Sequence, residues 1–378
     1  MTVLPVSAND VQPIGRPLKI AIAGGLQAVN VLLPAFHAVP NFQVVALAAR
    51  NPDNLRAAAA QFGVPKVRAG WEPLAHDSEI DVVALALPAA IQAVAALRLA
   101  EVGKHLFCEK PLAATYADAE RIVSTVAQMN RKAIVHFGFR FVSAFEAFRD
   151  IVRSGELGRP QLIKVEWLLS TRSDPSFTWN WKSDAAQGGG TFCLMASHVL
   201  DYLAWWFGDI RDMELLPSTI VRTRPDALTR LPKPVLADDT CNILMTLGDG
   251  VPASASISTA LSVGANHRIR AWFEKGLLEL SNHAGDDYYD GFRLSFQSGR
   301  LATKTPELTG KLVAATQASE LITTRIGIAQ RVAEALGRAI RTGEPAEPSL
   351  NAALSVQRWL EKGQRASSRW NPSERQIV

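Results

Sequence analysis

The hydrophobic pattern separates the chain into two regions, and the first runs from Leu18 to about Arg140. In this region, short runs rich in β-branched residues alternate with stretches of helical periodicity. Runs such as LKIAIAG, FQVVALAAR and IDVVALALP are continuously apolar, which is typical of strands buried on both faces. Strands that alternate with helices form a parallel sheet with helical crossovers. The pattern therefore predicts a doubly wound, Rossmann-type α/β fold.

The second region follows Arg140 and has a different pattern. A helix is predicted over Ser143 to Ser154, before Gly155, and the strand-like run QLIKVEWLL comes next. From about 209 to 304 the runs are those of consecutive strands, which indicates an open, mostly antiparallel sheet with helices on one face. Two more helices are predicted to close the chain, near 319–342 and 350–366. This region is expected to be an α+β domain.

A chain of 378 residues is long enough for two cores, since single cores stop growing near ~250–300 residues. We expect an N-terminal arm (1–17), a Rossmann dinucleotide-binding domain (18–140) and an α+β substrate and oligomerisation domain (141–378). The first residues lack the basic start and long apolar core of a secretion signal. The most apolar stretch is divided by Pro88 into a strand-like run and an alanine-rich helix, so no membrane span is expected.

Charge and cysteine content restrict the partners. The formal charge is only +4 and the basic residues are scattered, whereas a nucleic-acid surface needs a clustered basic face. Three cysteines (Cys108, Cys193 and Cys241) stand far apart and show no metal-type spacing. They indicate reduced thiols in a cytoplasmic protein, and no metal is expected. Together with the scattered charge, this leaves a small-molecule substrate as the expected partner and no nucleic acid. An open, mostly apolar sheet should pair with a second copy, which predicts a homodimer or homotetramer.

A glycine turn follows the first strand and begins a helix. Gly24 takes the first place of the dinucleotide fingerprint G-x-G-x-x-G, whose glycines let backbone N–H groups approach a pyrophosphate. Leu26 and Val29 stand where the other glycines would fall. We take Gly24, Gly25, Leu26 and Gln27 as candidate cofactor residues, with a plain strand-to-helix turn as the alternative.

The second strand ends in Ala48-Ala49-Arg50-Asn51, without the carboxylate that NAD-binding folds usually place there for the ribose hydroxyls. Arg50 is instead suited to the 2′-phosphate of NADP, and a solvated surface arginine is the alternative. NADP is therefore the preferred cofactor, with NAD possible.

Glu109-Lys110-Pro111 follows the strand-like HLFC, at the edge of the sheet where ligands bind. An ammonium group can hydrogen-bond the substrate oxygen whose charge changes in hydride transfer, so Lys110 is a catalytic candidate. Pro111 fixes φ in the turn. On its own, a lysine after a strand is more often a charged loop residue.

Four segments in order resemble the Gfo/Idh/MocA (glucose–fructose oxidoreductase/inositol dehydrogenase) family: the first βα unit, GKHLFCEKPLA, GELGRP and GGGTFCLMASHVLDYLAWWFG. The resemblance implies an NAD(P)-dependent oxidoreductase acting on sugars, cyclitols or related ketones. It assigns Lys110 to the active site between nicotinamide and substrate, and it assigns a catalytic and substrate role to His198. It also implies cofactor contacts by Glu109, Lys110 and Pro88. Asp201 is expected to be a structural hydrogen-bonding residue.

Two further substrate candidates lie in the loop SFTWNWKSDAAQGGG. The family often has Trp-Arg where this chain has Trp181-Lys182, which keeps the charge and loses the planar fork. An aromatic ring beside a cation can stack on a sugar and hold a hydroxyl. Arg140 is a third substrate candidate.

The chain also departs from the family pattern. The acidic residue that precedes the histidine by four positions is Leu194, which cannot relay a proton. Where the family has T-P-N-x-x-H, this chain has Leu87-Pro88-Ala89-Ala90-Ile91-Gln92, so Ala89 replaces the asparagine that helps to hold the cofactor.

The leading hypothesis is hydride transfer between a nicotinamide and a sugar-like carbonyl or hydroxyl. A ligand-sensing or scaffold protein of the same fold, and a redox-neutral enzyme with tightly held cofactor, are the alternatives.

Overall fold

The computed structural model of the chain describes residues 15–265, 267–282, 289, 291–299 and 325–367. Most of the predicted arm (1–14) and the start of the helix predicted from 319 lie outside these residues. The described chain forms two compact units. The first holds the N-terminal part up to Ala113, 117–136 and 326–354, and the second holds 114–116, 137–325 and the part from Ser355 onward.

A parallel six-stranded sheet with order β3-β2-β1-β4-β5-β6 forms the centre of the first unit. Its strands are β1 (Leu18–Gly24), β2 (Phe42–Ala49), β3 (Lys66–Ala69), β4 (Val82–Ala86), β5 (His105–Cys108) and β6 (Ala133–Val135). The strand order reverses between β1 and β4, and the carboxyl ends of strands at such a point form the ligand crevice of a doubly wound fold. The predicted Rossmann-type sheet is confirmed.

Helices connect these strands. They are α1 (Leu33–Ala38), which continues a π-helical turn (Ala28–Leu32), α2 (Asp53–Gln61), α3 (Glu72–His76), α4 (Ala89–Glu101) and α5 (Tyr116–Gln128). The ring of Phe36 in α1 packs edge-on against Phe42 of β2 and Phe107 of β5, with centroids 5.0 and 5.3 Å apart. The apolar stretch divided by Pro88 forms β4 and α4. Among the described helices, none is long and apolar enough to cross a membrane.

The second unit contains a seven-stranded sheet with order β15-β14-β13-β7-β12-β11-β8. The strands are β7 (Pro160–Leu168), β8 (Ile210–Ser218), β11 (Thr240–Leu247), β12 (Val251–Ser258), β13 (His267–Phe273), β14 (Gly276–Asn282) and β15 (Phe292–Ser298); β9 (Thr223–Pro225) and β10 (Pro232–Pro234) form a separate hairpin. Only β7 and β12 pair in parallel among these strands. The prediction of a mostly antiparallel sheet is confirmed.

One face of this sheet is covered by α6 (Ser143–Ser154) and α7 (Ser197–Phe207). Trp206 of α7 is buried and stacks on Phe148 of α6, with ring centroids 4.2 Å apart. The opposite face is exposed, but it is mixed rather than mostly apolar. It carries an ion pair between Arg270 and Glu166, whose side chains stand on adjacent strands and point away from the helices. Strand alternation explains this result, since every second side chain leaves the core face.

Two helices close the chain, α8 (Arg325–Thr342) and α9 (Leu350–Ser367). The sequence pattern assigned all of 141–378 to the second domain, whereas 326–354 belongs to the first unit. Helix α8 packs on the sheet of the first unit, which explains this difference. Its Gly337 lies so close to Phe42 of β2 that an added Cβ would be only 3.1 Å from the phenyl ring. The backbone N–H of Val135 in β6 also donates to the carbonyl oxygen of Pro348 at 3.3 Å. Hydrophobic periodicity is a local property, and it does not show that a late segment of the chain packs against an early one.

Candidate active site

The turn after β1 holds the two glycines at which nucleotide binding is predicted. Gly24 has a φ of +153°, and a Cβ there would lie 2.5 Å from the carbonyl oxygen of Ala86 at the end of β4. Glycine is therefore required for the close approach of β1 and β4 at the switch point. Gly25 is exposed, and within the described structure its Cβ position has open space on all sides.

The residues after Gly25 fit the phosphates of a dinucleotide. Leu26 is 80% exposed, so its side chain is not packed into the turn. A helix starts here, and the N–H of Val29 donates to the carbonyl oxygen of Gly25 at 3.1 Å. The N–H groups of a first helical turn have no intrahelical acceptors and bind anions. The departure from the glycine pattern at Leu26 therefore leaves the turn open to a pyrophosphate.

Arg50 and Pro88 lie at the carboxyl ends of two other strands of this sheet. Arg50 follows β2 and is exposed, and its neighbour Asn51 accepts a hydrogen bond from the N–H of Asp53 at the start of α2 (3.1 Å). Pro88 follows β4 as the residue before α4, and its carbonyl oxygen accepts from the N–H of Gln92 (2.8 Å). Both residues thus lie on the edge that carries the glycine turn.

A network of hydrogen bonds surrounds Glu109, the residue after β5. Its Oε1 accepts from Gln27 Nε2 at 3.1 Å and lies 2.8 Å from His136 Nδ1, just after β6. Burial acts to raise the pKa of Glu109, but the attraction and hydrogen bond of His136, the charge of Lys110 and the Gln27 amide hold the pKa below its ordinary value. Because an ionised carboxyl only accepts, His136 Nδ1 carries the shared proton. Glu109 thereby joins the glycine turn to the ends of β5 and β6.

Gln92 is a residue of this site that was not among the predicted site residues. Its side chain is fully buried, and Nε2 donates to the carbonyl oxygens of Glu109 (2.6 Å), Pro111 (3.1 Å) and Leu112 (3.2 Å). These contacts fix the backbone on both sides of Lys110. Two signals in the sequence pointed to this position: a polar residue in the apolar face of an alanine-rich helix, and the place of the histidine in the family's T-P-N-x-x-H.

Lys110 itself is half-buried, and its positive charge is felt by Glu109. The preceding residue, Cys108, is fully buried, and this burial, with the adjacent charge of Glu109, raises the pKa of its thiol to about 12. Since thiolates are the reactive form of cysteine, Cys108 has a packing role at neutral pH. Lys110 thus stays the predicted catalytic residue of this turn.

In the second unit, the three successive glycines form a tight turn before α7. A Cβ at Gly189 would lie 2.6 Å from the carbonyl oxygen of Lys182, and one at Gly190 would lie 2.4 Å from Asp238 Oδ1. Asp238 Oδ2 accepts from the N–H of Phe192 at 2.7 Å, where the helical segment begins. The glycines therefore bring the Trp181 loop and Asp238 against the start of the helix that carries His198.

His198 lies in α7 and is 2% exposed. Its ring packs edge-on against Phe139 and Phe137, with centroids 5.2 and 6.3 Å apart, and it lies 6.3 Å from the ring of Trp167 at the end of β7. Leu194 precedes it by one helical turn and supplies no carboxylate. The surroundings of His198 are therefore largely aromatic.

Arg140 and Asp201 form a bidentate ion pair in this unit. Arg140 Nε and Nη2 donate to the two carboxylate oxygens of Asp201 at 2.9 and 2.6 Å. The guanidinium also lies over the ring of Trp205, 5.4 Å from its centroid. The pair fixes α7 against the short 3-10 helix (Gly138–Phe141), which agrees with the structural role expected for Asp201. Arg140 stays a predicted substrate residue.

Trp181 and Lys182 belong to a 3-10 turn that begins after Asn180. The Asn180 side chain accepts from the N–H of Lys182 at 3.1 Å. Trp181 is half-buried and Lys182 is exposed. The first unit thus brings together Gly24, Gln27, Glu109 and Lys110, and the second brings Trp181 and Lys182 to the glycine turn before His198.

Comparisons with known proteins agree with both units. Residues 18–137 match "Oxidoreductase family, NAD-binding Rossmann fold" (GFO_IDH_MocA), and residues 145–279 match "GFO/IDH/MocA C-terminal domain". An uncharacterized oxidoreductase, sll0816 of Synechocystis sp., is 32% identical over 279 residues, which are 73% of this chain and 75% of the relative. The chain belongs to the Gfo/Idh/MocA family. It is an NAD-binding oxidoreductase.

Relatives of this Gfo/Idh/MocA protein include enzymes named for sugar substrates. Levoglucosan dehydrogenase of Pseudarthrobacter phenanthrenivorans is 29% identical over 245 residues, 61% of this chain and 62% of that enzyme. Among solved structures, WlbA dehydrogenase of Bordetella pertussis in complex with NADH and UDP-GlcNAcA has a TM-score of 0.80 at 18% identity, covering 94% of this chain and 97% of that one. At this identity the likeness shows the fold alone.

Proposed function

We propose that this Gfo/Idh/MocA protein transfers hydride between a nicotinamide and a carbonyl or secondary alcohol of a sugar-like or cyclitol-like substrate. The observation that carries the proposal is the fixed Lys110 turn, whose backbone Gln92 holds at the carboxyl end of β5. Relatives named levoglucosan dehydrogenase and dTDP-3,4-didehydro-2,6-dideoxy-α-D-glucose 3-reductase support a sugar-like substrate.

Each reactive side chain has a defined part in this proposal. When bound, the nicotinamide supplies or accepts the hydride. Lys110 donates a hydrogen bond, and then a proton, to the substrate oxygen on which negative charge develops during reduction. His198 orients a substrate hydroxyl or shares that proton, and Leu194, which stands one helical turn before it, takes no part in the proton transfer. Trp181 and Arg140 contact the substrate.

Turnover of a Lys110→Ala variant tests the role of this residue. Losing a positioned acid–base group typically costs 10²–10⁴-fold in rate, so we expect kcat to fall by ~10²-fold or more. Initial rates with a panel of sugars and keto-sugars, in both reaction directions, give the comparison. Nucleotide binding and thermal unfolding should stay close to wild type, which separates a chemical defect from misfolding. Turnover near wild type would exclude Lys110 as the proton donor.

The preferred cofactor is proposed to be NADP, because the β2 end carries exposed Arg50 and no carboxylate at 48–51. Titration of the purified protein with NADPH and NADH should show tighter NADPH binding, after a spectrum has checked for carried-over nucleotide. Arg50→Ala should weaken NADPH binding about 10-fold and leave NADH binding unchanged, since only NADPH has the 2′-phosphate. Equal affinities in the wild type would indicate NAD.

A further inference from the structure

Three cations of the second unit lie close together beside the Trp181 loop. These residues, Arg172, Lys182 and Arg224, are called the cation cluster below. Arg172 Nη2 donates to Ser183 Oγ at 3.3 Å, next to Lys182. Arg224 is 2% exposed and donates to the carbonyl oxygens of Asp174 (2.8 Å) and Arg172 (2.5 Å). Arg224 therefore holds the loop that positions Arg172.

Four aspartates lie near the cluster in the chain or in space. They accept hydrogen bonds from main-chain N–H groups: Asp239 from Ile220 and Val221, Asp174 from Ser176, Asp184 from Ala186, and Asp238 from Phe192. Within the described residues, no cation of the cluster forms an ion pair with a carboxylate, and the Lys182 ammonium has no hydrogen-bond acceptor. Asp239 attracts Arg172 and Arg224 from a distance, but Arg172 and Lys182 keep donor groups that an anion can use.

The cations of the cluster also disfavour each other. Burial, with the nearby charge of Arg224, lowers the pKa of Arg172 against the attraction of Asp239. The Lys182 side chain is exposed to solvent along much of its length, but the protein around its ammonium and the charges of Arg172 and Arg325 lower its pKa. Like charges that are partly removed from water disfavour each other, and an anion bound between them removes that cost. A guanidinium fork and an ammonium are the groups that bind carboxylate and phosphate in proteins.

The cluster lies at the same end of the second-unit sheet as His198. Arg172 is in the loop after β7, and the last residues of β7 include Trp167, whose ring lies 6.3 Å from that of His198. The N–H of Arg172 donates to the carbonyl oxygen of Thr259 at 2.7 Å, and the hydroxyls of Thr259 and Thr191 lie 3.0 Å apart. These contacts join the Arg172 loop to the turn that begins the His198 helix.

We propose that Arg172, held by buried Ser183, and Lys182 bind the negatively charged group of an anionic sugar-like substrate. The group is a carboxylate or a phosphate, which share this recognition chemistry. Arg224 is a positioning residue that holds Arg172. The inference rests on the proposed function and narrows its substrate class from sugar-like compounds to sugar acids or sugar phosphates.

Matched substrates test the proposal with the full-length protein. We expect kcat/KM with NADP or NAD to be at least about 10-fold higher for D-glucuronate, D-galacturonate or D-glucose 6-phosphate than for D-glucose and D-galactose. Preference for the acids identifies a carboxylate, and preference for the phosphate identifies a phosphoryl group. Equal or higher kcat/KM for the neutral sugars would overturn the proposal.

Variants locate the anion. Arg172→Met and Lys182→Met should each raise KM for the anionic substrate by about 10-fold or more with little effect on kcat, and Lys182→Arg should restore most of the loss. Lys275→Met is the matched control, because it removes the same charge at the opposite end of the sheet, where Lys275 Nζ donates to the carbonyl oxygen of Glu156 at 2.8 Å. An unchanged KM in both Met variants would overturn the assignment.

Calorimetric binding separates this inference from the proposed reaction. If no compound is turned over, the same five compounds are titrated into wild type, both Met variants and the Lys275 control. Binding of anions alone, lost in the two Met variants and kept in the control, would support the anion site while the proposed reaction fails. Binding of none of the five compounds, or equal binding in all four proteins, would overturn the anion site.

Discussion

The turn that carries Lys110 is held by residues to which no reaction step is assigned. Gln92 fixes the backbone of the turn, and Glu109 joins it to Gln27 and His136. Buried polar groups need partners, and a completed set of hydrogen bonds specifies one arrangement. The position of Lys110 is therefore set by contacts between residues far apart in the sequence.

Replacing Glu109 by Gln tests this network. The pKa of Glu109 lies below 4.5 in the folded protein, so its carboxylate stabilises the fold fully at neutral pH, and this contribution is lost as pH falls through that lowered pKa. We expect Glu109→Gln to lower the free energy of unfolding by about 1–3 kcal/mol at pH 7. Urea unfolding at pH 7 and at about pH 4 measures this loss.

The loss from Glu109→Gln should shrink at the lower pH, because the wild-type carboxylate then begins to take up a proton. Glu120→Gln, at an exposed position of α5, is the control and should leave stability unchanged at both pH values. A loss of the same size at both pH values would show that the ionised form of Glu109 is not what stabilises the turn.

At the scale of elements, the sequence patterns predicted those features that depend on residues close together in the chain. The α6 bounds and its end at Gly155 follow from helical periodicity and a glycine in the left-handed region, with φ +67°. Gly24 could be recognised because a strand-to-helix turn needs it. The contacts of Gln92 and Asp238 could not be predicted, because their partners belong to other elements. The position of 326–354 in the first unit was missed for the same reason.

The Asp238 carboxylate accepts a hydrogen bond from the N–H of Phe192, at the start of the helical segment before α7. Its raised pKa predicts that the stability of the protein depends on pH. Burial raises its pKa to about 7, with the charge of Asp239 adding to this rise and the main-chain hydrogen bonds of Phe192 and Thr191 acting against it. Because the pKa of Asp238 is raised in the folded state, its contribution to stability is fully present below the ordinary pKa of 3.8. This contribution is lost as the pH rises towards about 7. Asp238→Asn keeps an acceptor for Phe192 and removes the buried charge.

We therefore expect Asp238→Asn to raise the free energy of unfolding above that of the wild type. This gain should be larger at pH 8 than at pH 5, by more than about 1 kcal/mol. Chemical denaturation at the two pH values measures this difference. Asp249→Asn, at an exposed position in the turn between β11 and β12, serves as the control. A gain that does not change with pH would contradict the assigned burial of the Asp238 charge.

At the scale of the whole molecule, the two hydrophobic patterns were enough to predict an α/β region followed by an α+β region, and the resemblance of four ordered motifs predicted the family. They were not enough to describe the open face of the second sheet. Leu244 is 65% exposed on that face, while its cross-strand neighbours are Glu214 and Ser254. A mixed face of this kind is typical of protein–protein interfaces, which combine apolar and paired polar residues. We propose a cytoplasmic homodimer or homotetramer that uses it.

Light scattering at micromolar concentration tests this assembly. The wild type should have at least twice the 41.0 kDa mass of the chain, because a second copy buries the Leu244 face. Leu244→Asp places a charge in that interface and should shift the protein towards the monomer, since an unpaired buried charge is costly. Leu228→Asp, at a 92% exposed leucine of the β9–β10 hairpin, should not change the mass. A wild-type monomer would reject the assembly, and an oligomer unaffected by Leu244→Asp would place the contact on another surface.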